Sequence, residues 1–152
     1  MRALLQRVSR AHVEVDEKKV AQINSGWLVF LGVHKSDSEA EVVFLHKKIK
    51  SLRGFSDKQG KMNLSLLDTK KEILVVSQFT LCANYQKGNR PSFFEAAPGE
   101  KAKDLYEKFC DLFAKDTFKV ERGIFAANMN VCLENQGPVT FFIDTSTFNN
   151  DK

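Results

Sequence analysis

The amino-acid sequence predicts a mixed α/β domain whose sheet curls toward a barrel and carries two main helices on its outside. The order of elements supports this, because several strands, a helix, a strand, a second helix and further strands do not follow the regular alternation of a doubly wound fold. Length and composition agree with one globular domain: the chain has 152 residues, of which 43% are hydrophobic and 28% are charged.

The first third of the chain is predicted to form strands. Residues 2–8 are apolar with polar interruptions, and residues 12–16 alternate between apolar and polar side chains, as a strand with one wet face does. A turn at residues 18 and 19 would lead into a return strand over residues 20–23. Residues 26–33 are an almost continuous apolar run, which is typical of a strand that is buried on both faces.

The first helix is predicted to begin at a capping box. Residues 36–39 have the S-x-x-E form in which a serine and a glutamate satisfy the free backbone N–H groups of a first turn. Apolar residues then recur at helical spacing at Val42, Leu45, Ile49 and Leu52. Turn signals follow between residues 54 and 63, and residues 64–71 give no clear prediction.

The second half of the chain is predicted to hold one long strand, a loop, a helix and three further strands. The strand covers residues 72–81, the loop residues 83–99 and the helix residues 100–115. The remaining strands are expected at residues 117–121, 129–133 and 139–144. We therefore expect a single domain over residues 1–145 and a polar C-terminal tail over residues 146–152.

The charge pattern gives only weak support for an anionic partner. The chain has a net charge of +4, but residues 46–71 hold eight lysines and arginines against two aspartates, which leaves −2 for the rest. Such a segment can pair with phosphates. A solvated helix face followed by a lysine-rich turn explains the same pattern.

Metal binding, membrane insertion and secretion are not expected. The three cysteines and three histidines are widely spaced and lack zinc-ligand spacing. No apolar run approaches the roughly 18–20 residues that span a bilayer, and polar residues interrupt the N-terminal apolar stretch too early for a signal peptide. We expect a cytoplasmic protein with reduced thiols, no metal and no cofactor.

The common catalytic motifs are missing, but two polar segments lie at strand ends. There is no GxSxG, P-loop, GxGxxG or HExxH pattern. Residues 77–81 (SQFTL) close a buried strand, so their polar groups either bond to a neighbouring loop or form a pocket floor whose backbone N–H groups face a ligand. Residues 135–140 (NQGPVT) form either a plain turn or a Gly-Pro step with a cis bond, which costs about 0.5–1 kcal/mol.

These two segments, in this order and about 55 residues apart, resemble the D-aminoacyl-tRNA deacylase family. Three further pieces are similar to motifs of that family, and the resemblance covers roughly residues 1–145. They are the opening strand Leu5-Gln6-Arg7-Val8, the basic loop over residues 87–93 and the segment over residues 123–129.

The resemblance implies a fold, a reaction and partners. The fold would be a three-layer β/β/α arrangement with a mixed, barrel-like sheet. The family hydrolyses the ester that joins a D-amino acid, or mischarged glycine, to the terminal ribose of tRNA. It does so as a homodimer that uses no metal or other cofactor and has no membrane partner.

The resemblance also implies site residues. The catalytic positions would be Ser77, Gln78, Phe79 and Thr80, with backbone N–H groups of the last two donating to the ester carbonyl. Gly137 and Pro138 would reach into the partner's site as a Gly–cis-Pro step and exclude L side chains. The remaining substrate-binding positions would be Arg7, which orients that step, Leu81, Ala126, and Phe125 and Met129, which hold the terminal adenine.

Two alternatives stay open on the sequence alone. One is a non-catalytic RNA-binding module that keeps the fold and uses the basic segment on phosphates. The other keeps the hydrolase but makes the Thr80 hydroxyl a covalent nucleophile, although no base is visible near it in the sequence to activate it.

Overall fold

The long strand β1 organises the sheet of this computed structural model, which describes residues 1–148. The strands are β1 (Arg2–Val15), β2 (Lys18–Ile23), β3 (Gly26–Gly32), β4 (Phe55–Ser56), β5 (Met62–Leu64), β6 (Glu72–Ser77), β7 (Val120–Arg122) and β8 (Asn130–Asp144). The helices are α1 (Glu39–Ser51), α2 (Leu66–Thr69) and α3 (Gly99–Lys115), with 3₁₀ turns at Phe79–Cys82 and Thr145–Phe148.

The main sheet is mixed and strongly curved. Its order is β2-β1-β3-β6-β7, with β8 on the other edge of β1. The first half of β1 pairs with β3 and the second half with β2, while β8 follows β1 over its whole length. Strands β3, β6 and β7 are parallel and the other pairs of this sheet are antiparallel. The predicted barrel-like mixed sheet is confirmed.

Helices α1 and α3 cover one face of the sheet and pack against each other. Ile49 of α1 and Phe109 and Phe113 of α3 are completely buried in one cluster with Trp27 and Ile73 of the sheet. This burial explains the apolar spacing on both helices, because an amphipathic helix is stabilised mainly by the face that it packs. The two main outer helices are confirmed, and α3 begins one residue before its predicted start.

The predicted capping box of α1 is wrong by two residues. Ser38 is the N-cap: its hydroxyl accepts from the Ala40 N–H at 3.2 Å, and the Glu41 carboxylate accepts from the Ser38 N–H at 2.7 Å. A tertiary interaction explains the shift. Asp37, which lies inside the predicted box, instead accepts hydrogen bonds from the His34 N–H and from the amino group of Met1, both at 2.6 Å.

Several predicted strand limits are also wrong. The first two predicted strands are one strand, β1, and the turn after it lies at Asp16 and Glu17, both with left-handed backbone (φ 48° and 60°). Such a two-residue turn matches the twist of a hairpin. The last two predicted strands are likewise the single strand β8. The strand predicted over residues 72–81 ends at Ser77, and β7 begins three residues later than predicted.

The basic segment is spread over α1, the β4–β5 hairpin and α2, and some of its charges are already paired. The Lys50 ammonium donates to Asp116 at 2.8 Å, and Lys71 donates to the Ser25 hydroxyl at 2.7 Å. Cys82 and Cys110 are buried and Cys132 is exposed, all as free thiols. No helix within residues 1–148 is long and apolar enough to cross a membrane. Residues 149–152 of the predicted tail lie outside the described residues.

Candidate active site

A cavity of about 720 Å³ opens where strand β6 ends. One side is formed by the end of β6 and the turn that follows it, and another by Phe93, residues 96–99 and the first turns of α3. A third side comes from residues 125–129, between β7 and β8. The parallel pairing of β6 and β7 brings two of these segments together at the carboxyl ends of the strands. The remaining segment joins them just beyond β3, where the Ala97 N–H donates to the Val33 carbonyl at 2.9 Å.

The turn after β6 places backbone donors at the cavity. The Gln78 N–H continues the sheet by donating to the Leu31 carbonyl at 2.8 Å, and the Leu81 N–H closes the 3₁₀ turn on the Gln78 carbonyl at 3.2 Å. The N–H groups of Phe79 and Thr80 lie in the first turn, before its first hydrogen bond, and have no acceptor among residues 1–148.

Neighbouring strands hold this turn closely. A Cβ atom built on Gly32 would lie 2.9 Å from the Leu81 Cβ and 3.0 Å from the Gln78 carbonyl oxygen. The absence of a side chain at Gly32 is therefore what lets the turn pack against the end of β3. From the other side, the Arg2 guanidinium donates to the Leu81 carbonyl at 2.8 Å and to Asp144 at 2.9 Å.

The cavity lining offers no side chain suited to act as a base at neutral pH. Its polar side chains, among the described residues, are Ser77, Gln78, Tyr106 and Asn128. Burial raises the pKa of the Tyr106 hydroxyl far above its usual range, and this hydroxyl donates to the Val75 carbonyl at 2.9 Å. Burial likewise raises the pKa of the adjoining Cys110 thiol to about 12. Both groups stay protonated and neutral.

The side of the cavity formed by residues 125–129 is apolar. The Phe125 ring lies 5.8 Å from the Tyr106 ring, centroid to centroid, and Ala126 adopts a left-handed backbone (φ 62°) that turns the chain here. A Cβ built on Gly123 would lie 2.7 Å from the Met129 sulfur, so the glycine leaves room for that thioether. A flat, apolar ligand group fits between such side chains.

The predicted residues fall into two clusters. Ser77, Gln78, Phe79, Phe125, Ala126 and Met129 line the cavity. Thr80 and Leu81 belong to the same turn but do not line the cavity in this single chain, and Thr80 is exposed with its hydroxyl bonded to the Gln78 amide. Arg7, Gly137 and Pro138 lie together elsewhere, on β1 and β8.

Gly137 and Pro138 lie in a bulge of β8. Thr140 pairs with Gln6 and Asn135 with Val8, so the four residues between them face only Arg7. The Gly137–Pro138 peptide bond is cis, and both residues are exposed. Asn135 closes the base of this bulge, because its amide donates to the carbonyls of Arg7 and Val139, each at 3.1 Å.

Arg7 is anchored beneath this bulge. Its guanidinium donates to the Gly54 carbonyl at 3.0 Å, while its Nε is buried with no acceptor among residues 1–148. The Gly54 backbone packs directly against Trp27, since a Cβ built on Gly54 would come within 2.2 Å of the indole ring. The first residues of β1 thus connect the core to the exposed Gly-Pro step.

Sequence reasoning missed several residues of both clusters. Tyr106, Phe93 and Asn128 line the cavity but carry no local signal, because the apolar spacing of α3 explains Tyr106 equally well as core. The role of Asn135 at the base of the bulge could have been predicted, since asparagine is a common turn-forming residue and this one lies two residues before the Gly-Pro step.

Comparison with known proteins identifies relatives over almost the whole chain. The family model described as D-Tyr-tRNA(Tyr) deacylase matches residues 4–144. A protein of Aquifex aeolicus named D-aminoacyl-tRNA deacylase is 56% identical over 145 residues, covering 95% of this chain and 98% of that protein. One of Thermotoga petrophila with the same name is 53% identical, covering 96% and 98%.

Solved structures agree with the fold. The c-Myc DNA unwinding element binding protein superposes with a TM-score of 0.89 at 39% identity, covering 95% of this chain and 98% of its own. A probable eukaryotic D-amino acid tRNA deacylase superposes with a TM-score of 0.79 at 18% identity, covering 93% and 98%. The second likeness bears on the fold alone.

Proposed function

The chain belongs to the D-aminoacyl-tRNA deacylase family of hydrolases, and from that premise we propose that it hydrolyses the ester bond of D-aminoacyl-tRNA. The observation that carries the proposal is the cavity at the end of β6. Phe79 lines it, and the backbone N–H groups of Phe79 and of the next residue, Thr80, have no acceptor among residues 1–148; the described lining residues include no side-chain base. Such a site suits an ester that is already labile and needs charge stabilisation more than a strong nucleophile.

The proposed chemistry is addition of water to the ester carbonyl. As the water oxygen bonds to the carbonyl carbon, the carbonyl oxygen gains negative charge, which the N–H groups of Phe79 and Thr80 stabilise. The C–O bond to the ribose then breaks, and the ribose oxygen leaves with the proton that the water has lost. The adjacent 2′-hydroxyl of the ribose relays this proton, in place of a side-chain base.

Binding of the terminal adenosine would use the apolar side of the cavity. Phe125 and Met129 offer a ring and a polarisable thioether to the adenine face, with the Ala126 backbone turning between them. Leu81 stays a predicted contact from the turn side. In this arrangement the ester would lie next to the backbone N–H groups of Phe79 and Thr80.

Selection against L-amino acids would come from a second copy of the chain. Gly137 and Pro138 are exposed and lie outside the cavity of their own chain, which fits the family's arrangement in which each step enters the partner's site. There the two carbonyls would occupy the space that an L side chain needs, and Arg7 would hold their orientation. Glycine has no side chain to reject, so mischarged glycyl-tRNA would also be hydrolysed. A homodimer in the cytoplasm is part of this proposal.

The first test is single-turnover deacylation of D-tyrosyl-tRNA beside L-tyrosyl-tRNA by purified protein without added metal. We expect the D ester to be lost rapidly and the L ester to be spared. Loss of both esters would keep the hydrolase but contradict the Gly137–Pro138 selection. Loss of neither would favour the non-catalytic RNA-binding module, which turnover separates from the enzyme and salt dependence does not.

Replacement of Thr80 by alanine separates the two catalytic alternatives. If Thr80 acts through its backbone N–H, the Thr80→Ala protein should keep kcat within about tenfold of wild type, since neutral side-chain hydrogen bonds contribute only about 0.5–1.5 kcal/mol. A covalent nucleophile predicts complete loss of turnover instead. Single-turnover rates with D-tyrosyl-tRNA measure this. Loss of turnover in the alanine variant, with Thr80→Ser still active and both folded, would establish the nucleophile.

A further inference from the structure

The loop between the 3₁₀ turn after β6 and helix α3 carries aromatic side chains that the fold does not bury. Tyr85 is 74% exposed and Phe94 is 79% exposed, the two most exposed large hydrophobic side chains among the described residues. Two rings left this exposed on one loop make the loop a candidate binding surface. Neither residue lines the cavity described above.

This loop is well anchored at both ends. Near its start, Asn84 and Ser92 exchange two backbone hydrogen bonds of 2.8 Å, which hold the two ends of residues 85–91 together. Beyond Phe94, the Glu95 carboxylate accepts from Lys35 at 2.9 Å and lies 3.0 Å from the His34 ring. The hydrogen bond from Lys35 lowers the pKa of Glu95, so this anchor stays charged at neutral pH.

The loop continues directly into the mouth of the cavity. Phe93 lines the cavity and packs edge-to-face on Phe79, with 4.9 Å between ring centroids. The next residue, Phe94, lies outside, where the Lys35 ammonium sits 4.0 Å from its ring centroid and holds it in place. Because Phe94 directly follows Phe93, a ligand that extends out of the cavity past Phe93 can reach the Phe94 ring.

Residues 85–94 hold two cations and no carboxylate, and the carboxylate that follows, Glu95, is paired with Lys35. Lys87 and Arg90 lie on the same loop, both exposed, with no salt-bridge partner among residues 1–148. Flat rings beside cations are the combination that binds single-stranded nucleic acid, in which bases stack on the rings and phosphates meet the cations. A second copy of this cationic surface would be repelled by it.

We propose that Tyr85 and Phe94 stack on the unpaired nucleotides that precede the terminal adenosine of tRNA, and that Lys87 and Arg90 contact the phosphates between them. The inference rests on the proposed function and extends it, because it assigns a binding surface to the part of the substrate outside the cavity. The loop then binds the nucleotides to which the ester is attached, while the cavity binds the ester itself.

The test is direct binding, by calorimetry, of two probes: the trinucleotide CpCpA and adenosine 5′-monophosphate. We expect wild type to bind the trinucleotide more tightly, and the Tyr85→Ala/Phe94→Ala double variant to lose about tenfold of this preference per ring, the usual contribution of base stacking. Affinity for adenosine 5′-monophosphate should not change. The Tyr85→Phe/Phe94→Tyr variant keeps both rings and should bind as wild type does.

A matched control is Phe148→Ala, which removes another exposed ring that packs on Phe44 of α1; it should leave both affinities unchanged. In addition, Lys87→Gln/Arg90→Gln should lower the salt slope of trinucleotide binding by about 1.4, or about 0.7 for each phosphate contact. An equal preference in the double alanine variant and wild type would overturn the inference.

A change of oligomeric state in the alanine variant would also overturn it, since it would show that a second copy covers these rings. Failure of the proposed function is a different result. In that case wild type would not hydrolyse D-tyrosyl-tRNA, whatever the rings contribute to the binding of the trinucleotide.

Discussion

Gly32→Ala should lower kcat for D-tyrosyl-tRNA by about 100-fold while KM changes little. The added methyl group would lie within 3.0 Å of the Leu81 Cβ and the Gln78 carbonyl oxygen. Neither atom is the far end of a flexible side chain, so the turn itself must shift. Displacing preorganised donors by a fraction of an ångström to 1 Å costs about this much. The proposed adenine contacts, Phe125 and Met129, belong to a different side of the cavity, so KM should be unaffected.

The same substitution should also cost about 1–3 kcal/mol in the free energy of unfolding, because the site is tightly packed. Ile49→Val is a suitable control, since it destabilises the buried core on α1 by about 0.5–1.5 kcal/mol without touching the turn. Single-turnover rates and denaturant unfolding of both variants separate the two effects. If Gly32→Ala kept wild-type kcat, the backbone N–H groups of this turn would not be the groups that stabilise the reaction.

Local patterns predicted those parts of the fold whose periodicity reflects burial. The apolar face of α3 and the buried run of β3 both follow from side chains that the core accepts. The predictions that failed are those in which a contact with a residue distant in sequence determines the local structure. Both Ser36 and Ser38 are followed three residues later by glutamate, and only the hydrogen bonds of Asp37 with His34 and the N-terminal amino group select the second.

Residue patterns alone predicted the candidate site only where polar residues interrupt an apolar run. Ser77 and Gln78 stand out because a buried strand rarely ends in such groups without a reason. Tyr106 does not, because its helix would bury an aromatic residue in any case. The roles proposed for Phe125 and Met129 came from the family resemblance alone, and the structure brings both residues to the same cavity. No spacing rule relates residues 77–81, 106 and 125–129, since the sheet order and the packing of α3 on the sheet bring them together.

Gly137→Leu should lower the single-turnover rate with D-tyrosyl-tRNA by at least about 100-fold, although it should leave the fold of each chain intact. In one chain, a Cβ on Gly137 would meet only the Asn135 side-chain oxygen, at an ordinary contact distance of 3.6 Å. The leucine side chain would therefore project from the exposed bulge of β8 and, in the proposed dimer, fill the partner's cavity. Unfolding curves and oligomeric state should match wild type. Full activity of this variant would contradict the proposed role of the bulge.

A mixed dimer tests whether the bulge acts across subunits. One chain carries Gly32→Ala and the other Gly137→Leu, each with a different affinity tag, so that only the mixed dimer is purified. If the bulge acts on the partner, the chain with the intact turn receives the intact bulge, and one of the two sites works. The mixed dimer should then show about half the wild-type rate, although each homodimer is nearly inactive. If the bulge acts within its own chain, neither site is intact and the mixed dimer stays inactive.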